Sequence, residues 1–274
     1  MNKLMLAGAA IMVVAGCAKQ AEEVTEMATV ESQTVTYDMV GRQFYNEFIP
    51  CVAGPEYSRA AVDEMVAEWR SMELSDDLVG AWGYESASDD NEFDNGWWEL
   101  QWTSAEAAAA SWQQWADSEP AQAWAVKYQT VMACDASKRG GWAFHFTRDP
   151  ASFGEAESGA DLVSSYYRCT LNEGKSMADV DAFAAMYDTW LDTLEVPDDG
   201  FYAYGFYANA AQESEVDLMM GHFHRSFESM QAGGDTWEET GGDVKAALEA
   251  TVACLPPELH NFRSFYDPQD PDLS

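Results

Sequence analysis

Apolar positions recur at helical spacing in Val62, Met65, Val66 and Trp69, behind a serine, Ser58, placed to cap a helix. The arrangement returns at Val180, Phe183, Ala184 and Tyr187, behind Ser176-Met177-Ala178-Asp179. Around Trp82, Trp98 and Phe144 the pattern instead alternates, as it does along a strand. Asp94-Asn95-Gly96 reads as a tight hairpin turn. The pattern predicts strands over 41–49, 79–86, 96–103 and 142–147 and helices over 58–72 and 105–134, the second interrupted by Pro120.

These landmarks occur twice, about 120 residues apart, as an internal repeat does. Cys51 and Cys134 answer to Cys169 and Cys254; Ala81-Trp82-Gly83-Tyr84 answers to Ala203-Tyr204-Gly205-Phe206; Thr103-Ser104 answers to Arg225-Ser226. Phe144-His145 with Asp149-Pro150 answers to Phe262-Arg263 with Asp267-Pro268. A tandem duplication is expected, with copies at 37–150 and 163–268 joined by a linker at 151–162. In each copy the order strand-helix-strand-strand-helix-strand is the split β-α-β pattern of ferredoxin-like folds, and the class is α+β. Trp102-Thr103-Ser104-Ala105-Glu106-Ala107 resembles the aromatic strand end and Ser-x-Glu-Ala helix start of the dimeric α+β barrel superfamily, which includes the antibiotic-biosynthesis monooxygenases. The second copy departs from that motif with His224-Arg225-Ser226-Phe227-Glu228-Ser229. The resemblance implies two sheets meeting face to face as a single-chain barrel, and a monooxygenase-like activity as one reading.

Lys3 and the apolar run 4–14 have the charge and length of an export signal. Val14-Ala15-Gly16-Cys17 resembles the lipobox of bacterial lipoproteins, which implies removal of 1–16 and a lipid on Cys17. Ala18 favours the outer membrane by the sorting habit of such proteins, facing the periplasm or the cell surface. Residues 17–36 read as a flexible acidic tether and 269–274 as a disordered tail. A net charge of −34 makes nucleic acid and anionic headgroups poor partners. An envelope protein remains a candidate partner.

In an exported setting the remaining cysteines form disulfides. Four cysteines allow three pairings. In the ferredoxin-like arrangement the first strand and second helix run to the same end of the sheet, which favours Cys51–Cys134 and Cys169–Cys254. The spacing has no short Cys-x-x-Cys pair of the kind zinc sites use.

His222 and His224 share one strand face and could bind a ligand or a metal; Leu100 and Trp102 stand at their counterparts. Tyr202, Tyr204 and Phe206 share a face, as do Trp82 and Tyr84; aromatic residues at this density read first as core, and in a barrel closed between two sheets they would line a cavity. Ala81, Gly83, Ala203 and Gly205, on the other face, would let the helices pack close. His145 and Arg263 are matched cations that either enter that cavity or pair with surface carboxylates; His260 reads as structural. No cofactor is assigned. Residues 90–101 lack the glycine and glutamate of a calcium loop. Stretches 105–134 and 227–254 lack the helix histidine that barrel relatives use for haem. The expectation is a lipid-anchored protein binding a small apolar molecule between its sheets. The alternatives are a monooxygenase-like or isomerase-like enzyme using His222, His224 and Tyr204, and a structural or interaction module.

Overall fold

The computed structural model describes residues 39–93, 95–157, 159–195, 200–211, 215–270 and 273. The signal segment 1–16, Cys17 and the tether 17–36 lie outside the described residues, as do Asp94 of the hairpin turn and part of the tail. No helix among the described residues is long and apolar enough to cross a membrane.

The first half runs β1 (Gln43–Ala53), α1 (Arg59–Arg70), β2 (Leu78–Ser86), β3 (Gly96–Trp102), α2 (Ala105–Asp117), α3 (Glu119–Lys127), β4 (Met132–Cys134) and β5 (Gly140–His145). The second runs β6 (Leu162–Leu171), α4 (Met177–Leu191), β7 (Tyr202–Asn209), β8 (Leu218–His224), α5 (Phe227–Thr240), α6 (Gly242–Thr251), β9 (Val252–Cys254) and β10 (Glu258–Tyr266). Caps start the helices where the sequence places them. The Ser58 side chain accepts from the Ala61 N–H, and the Asp179 carboxylate accepts from the backbone N–H of Ser176 at 3.0 Å. The stretch 105–134 is not one helix. Ser118 caps a new one, with Pro120 in its first turn where no N–H is needed, and the chain is extended again by Met132. Strands β2 and β3 fall where the pattern places them, β2 ending at Ser86 and β3 starting at Gly96.

Eight antiparallel strands close a barrel in the order β10-β2-β3-β1-β5-β7-β8-β6, with β6 returning to β10. The halves meet along β5–β7 and β2–β10. Alternation sends one set of side chains to the lumen, where Phe44, Phe48, Tyr84, Phe144, Tyr166, Tyr207, Phe223 and Phe262 pack together. The other set faces the helices and forms a separate core in each half.

The four cysteines pair as expected, Cys51 with Cys134 and Cys169 with Cys254. The route differs from helix ends meeting strand ends. Short strands β4 and β9 add to β1 and β6 in a register that sets Cys51 opposite Cys134 and Cys169 opposite Cys254.

The lumen is not a cavity lined by Tyr202, Tyr204 and Phe206. Trp82 and Tyr84 point into it, whereas Tyr202, Tyr204 and Phe206 point outwards to the helices. Of the small residues expected to face the helices, Ala81 does so, whereas Ala203 lies in the lumen. A side chain at Gly205 would meet the Phe144 ring at 2.4 Å, so the close approach across β5–β7 requires glycine there.

The lumen also holds a polar group that the sequence reading missed. Glu99, 1% exposed, accepts from Asn46 Nδ2 at 2.6 Å and from the Tyr84 hydroxyl; Gln101 donates to Asn46 and Tyr166 to Tyr84. Burial pushes the Glu99 carboxyl up to about 7, against the lowering effect of hydrogen bonds from Tyr84, Asn46 and Tyr207.

Candidate functional site

The outward face of β6, β7 and β8 meets α4–α6 across a cleft of about 1020 Å³. Two strands supply its floor. Tyr202 stands opposite His224, and Tyr204 opposite His222, in one uninterrupted register. Tyr187 and Trp190 of α4 and Trp237 of α5 form the roof, with Tyr187 edge-on to Tyr204 at 4.9 Å between ring centres. In α5, Gly233 and Gly234 leave space that a side chain would fill. A Cβ at Gly233 would come 3.6 Å from His224 Cε1, and one at Gly234 would meet nothing within 4 Å.

A chain of uncharged groups runs through this aromatic setting. The hydroxyls of Tyr187 and Tyr202 are 2.7 Å apart, and Tyr202 lies 2.7 Å from His222 Nδ1. The Tyr204 hydroxyl donates to Asp188 Oδ1 at 2.7 Å and contacts Thr147 Oγ1 at 2.6 Å. Burial depresses His222 to about 3, helped by the neighbouring His224, and depresses His224 to about 4. Burial also raises the Tyr202 hydroxyl well above its usual range. At neutral pH the floor is therefore uncharged. A neutral imidazole carries one donor and one acceptor, so the Tyr202 contact engages Nδ1 in one of these roles and leaves Nε2 with the other.

The structure brings five of the expected residues together here: Tyr202, Tyr204, Phe206, His222 and His224. The others lie elsewhere. Trp82 and Tyr84 belong to the lumen. His145 lies 3.5 Å from Asp181 on α4, and Arg263 pairs with Asp63 on α1, so each of the matched residues fastens its strand to a helix of the opposite half. The surface-carboxylate reading is thus the observed one; Phe144 and Phe262 occupy the lumen, leaving His145 and Arg263 on the outer side. His260 also faces the lumen, 2% exposed, with no hydrogen-bond partner for either ring nitrogen. As a metal centre the histidine pair is short of donors, since no group of three or more His, Cys, Asp or Glu converges among the described residues. Sequence reasoning missed Tyr187, Trp190, Trp237 and the opening at Gly233. Two adjacent glycines inside an amphipathic helix were the available signal, because they cost helix stability and need a compensating reason.

The buried histidines give a pH dependence. Unfolded imidazoles take a proton near 6.5, whereas His222, His224 and His260 resist until about 3, 4 and 4. Their contribution is complete above 6.5 and is lost as pH falls towards 4. Glu99 acts oppositely: its contribution is present below the ordinary 4.5 and is lost as pH rises to about 7. Three histidines outweigh one glutamate, so stability falls on acidification below pH 6.5. His260→Leu removes one proton from the linkage and lowers the slope by about 1.4 kcal/mol per pH unit between pH 5 and 6. Urea titrations across that range measure it; an unchanged slope contradicts the assignment.

No family model and no curated protein matches the chain. Solved structures do. An anthrone oxidase-like protein is 11% identical with a TM-score of 0.52, over 83% of this chain and 95% of that one. A chlorite dismutase-like protein is 12% identical with a TM-score of 0.47, over 84% and 97%. A monooxygenase-like protein from Lactobacillus acidophilus is 8% identical with a TM-score of 0.47, over 82% and 94%. At these identities the likeness is one of architecture, and the chain has a mixed α+β fold with a closed eight-stranded antiparallel barrel similar to the dimeric α+β barrel.

Proposed function

We propose that the protein binds a small, largely apolar aromatic molecule in the second-half cleft, with His222, His224 and Tyr202 supplying its oriented hydrogen bonds. The observation that carries this reading is the uncharged Tyr187–Tyr202–His222 chain, running from roof to floor of a cleft otherwise walled by aromatic rings. An imidazole that takes a proton only near pH 3 is a weak base, which favours positioning over proton abstraction. A monooxygenase-like or isomerase-like activity in the same cleft is the second reading, supported by the same chain as a route for a hydroxyl proton. Turnover that disappears in His222→Ala while the probe below still binds would decide for it.

We also propose that the halves descend from a tandem duplication of a ferredoxin-like unit, 37–150 and 163–268. Lipidation at Cys17, with 17–36 as a tether, would hold the barrel at the bacterial outer membrane.

The test is a fluorescence titration with N-phenyl-1-naphthylamine. Wild type is expected to bind it saturably, while Gly233→Phe fills the space beside His224 and weakens binding by tenfold or more. Gly233→Phe also removes a helix glycine, so the fold is expected to persist by circular dichroism. Equal binding by the folded variant would contradict the reading.

A further inference from the structure

The first half has a cleft of its own, about 1040 Å³, between the outer faces of β1–β3 and helices α1–α3. Its chemistry differs from that of the second. Six of the chain's eleven tryptophans line it: Trp69, Trp98, Trp102, Trp112, Trp115 and Trp124. Four of them pack in successive edge-to-face contacts, with Trp69 and Trp98 buried in the core and Trp115 and Trp124 half-buried at the cleft. Trp69 meets Trp98 at 80°, Trp98 meets Trp124 at 84°, and Trp124 meets Trp115 at 83°, with ring centres 5.1, 6.1 and 5.7 Å apart.

Charge points the same way. No Lys, Arg or His lines this cleft, and its charged lining residues are Glu73 and Asp117. Outside the cleft, rings of two of its lining residues already hold the protein's own cations: the Arg139 guanidinium lies 4.7 Å from the Trp112 ring centre and Lys127 Nζ 4.6 Å from that of Tyr128. Electron-rich indole rings with two carboxylates among the lining residues suit a cation whose charge is spread over methyl groups, because such an ion loses little hydration on entering. Sodium and ammonium hold their water too strongly to gain as much. The net charge of −34 adds a long-range attraction.

We propose that the first-half cleft is a receptor site for an organic cation of the quaternary-ammonium class. It is independent of the second-half cleft and of the reading given for it.

The experiment uses the purified full chain, with choline chloride exchanged for sodium chloride at constant ionic strength and binding read from saturation transfer to the choline methyl protons. Its uncharged isostere, 3,3-dimethylbutan-1-ol, is the control. Choline is expected to saturate in the millimolar range or below and the isostere to bind at least tenfold more weakly. Trp115→Ala is expected to weaken choline about fivefold, with Trp115→Phe recovering most of the loss. If Trp115→Ala does not fold by circular dichroism, Asp117→Asn is read instead, and is expected to weaken choline while leaving the isostere unmoved. Equal binding of isostere and choline would assign the cleft to neutral apolar ligands and overturn the proposal. Absence of saturable choline binding would overturn it outright, as would a folded Trp115→Ala with undiminished affinity.

Discussion

Replacing Cys51 and Cys134 together by alanine lowers the unfolding free energy by about 4.5 kcal/mol, and replacing Cys169 and Cys254 does the same. The magnitude follows from loop length. The bridges span sequence separations of 83 and 85 residues, so each removes a large share of the unfolded chain's freedom. The native side loses little in exchange, because each pair already stands opposite in strand register. Both bridges together are worth about 9 kcal/mol in this model, comparable with the whole stability of an ordinary domain. Strong reductant is therefore expected to unfold the barrel at room temperature. Urea denaturation followed by far-ultraviolet circular dichroism measures each pair. A loss below about 1 kcal/mol per pair would mean that the bridges do not constrain the unfolded chain as the loop lengths require.

Glu47→Ala is expected to cost about 3 kcal/mol. The carboxylate, 3% exposed, accepts from three donors: Trp102 Nε1 at 3.0 Å, Trp112 Nε1 at 2.6 Å and Arg139 Nε at 2.7 Å. Truncation leaves two indole N–H groups and a guanidinium without their acceptor. The low end of the range for broken buried pairs applies, since the Arg139 side chain is 35% exposed and water can reach it. Glu47→Gln keeps an acceptor oxygen and loses the charge, so it should fall between wild type and alanine. A cost for alanine below 1 kcal/mol would show that the three donors find other partners.

The pattern of the chain carries the fold further than the site. Helical spacing behind Ser58 and Ser176, and alternation around Trp82 and Phe144, place the elements to within a few residues, because both periods report which face is buried. The pairing of cysteines was also legible, although β4 and β9 were not. Three residues, Met132–Cys134, are too few to show alternation, and they follow a helical stretch without a break in composition.

The facing of the repeated aromatic residues was misread by one residue. Ala81-Trp82-Gly83-Tyr84 and Ala203-Tyr204-Gly205-Phe206 match in spelling but not in space. In the first half β2 bulges between Leu78 and Gly80, so that Ala81 stands opposite Leu100; in the second, unbulged, Tyr204 stands opposite His222. Leu100 and His222 occupy corresponding places, two residues before the strand ends that lead to the Ser104 and Ser226 caps. Tyr204 therefore corresponds to Ala81, and Trp82 to Gly205. A one-residue slip exchanges the faces of every side chain beyond it, which is why aromatic residues assigned to a single cavity divide between lumen and cleft. Glu99 was hidden for a related reason. Its face is set by register with β1 and β2, and the alternation of Trp97, Glu99 and Gln101 alone does not say that water is excluded there.

The most direct test of the central claim, that the ligand site lies between the second-half strands and their helices, is a crystal structure with N-phenyl-1-naphthylamine bound. Ligand density beside His222, His224 and Gly233, under Tyr187 and Trp237, is the result expected. Density in the lumen among Phe48, Tyr84 and Tyr166 would contradict it and return the site to the space between the sheets.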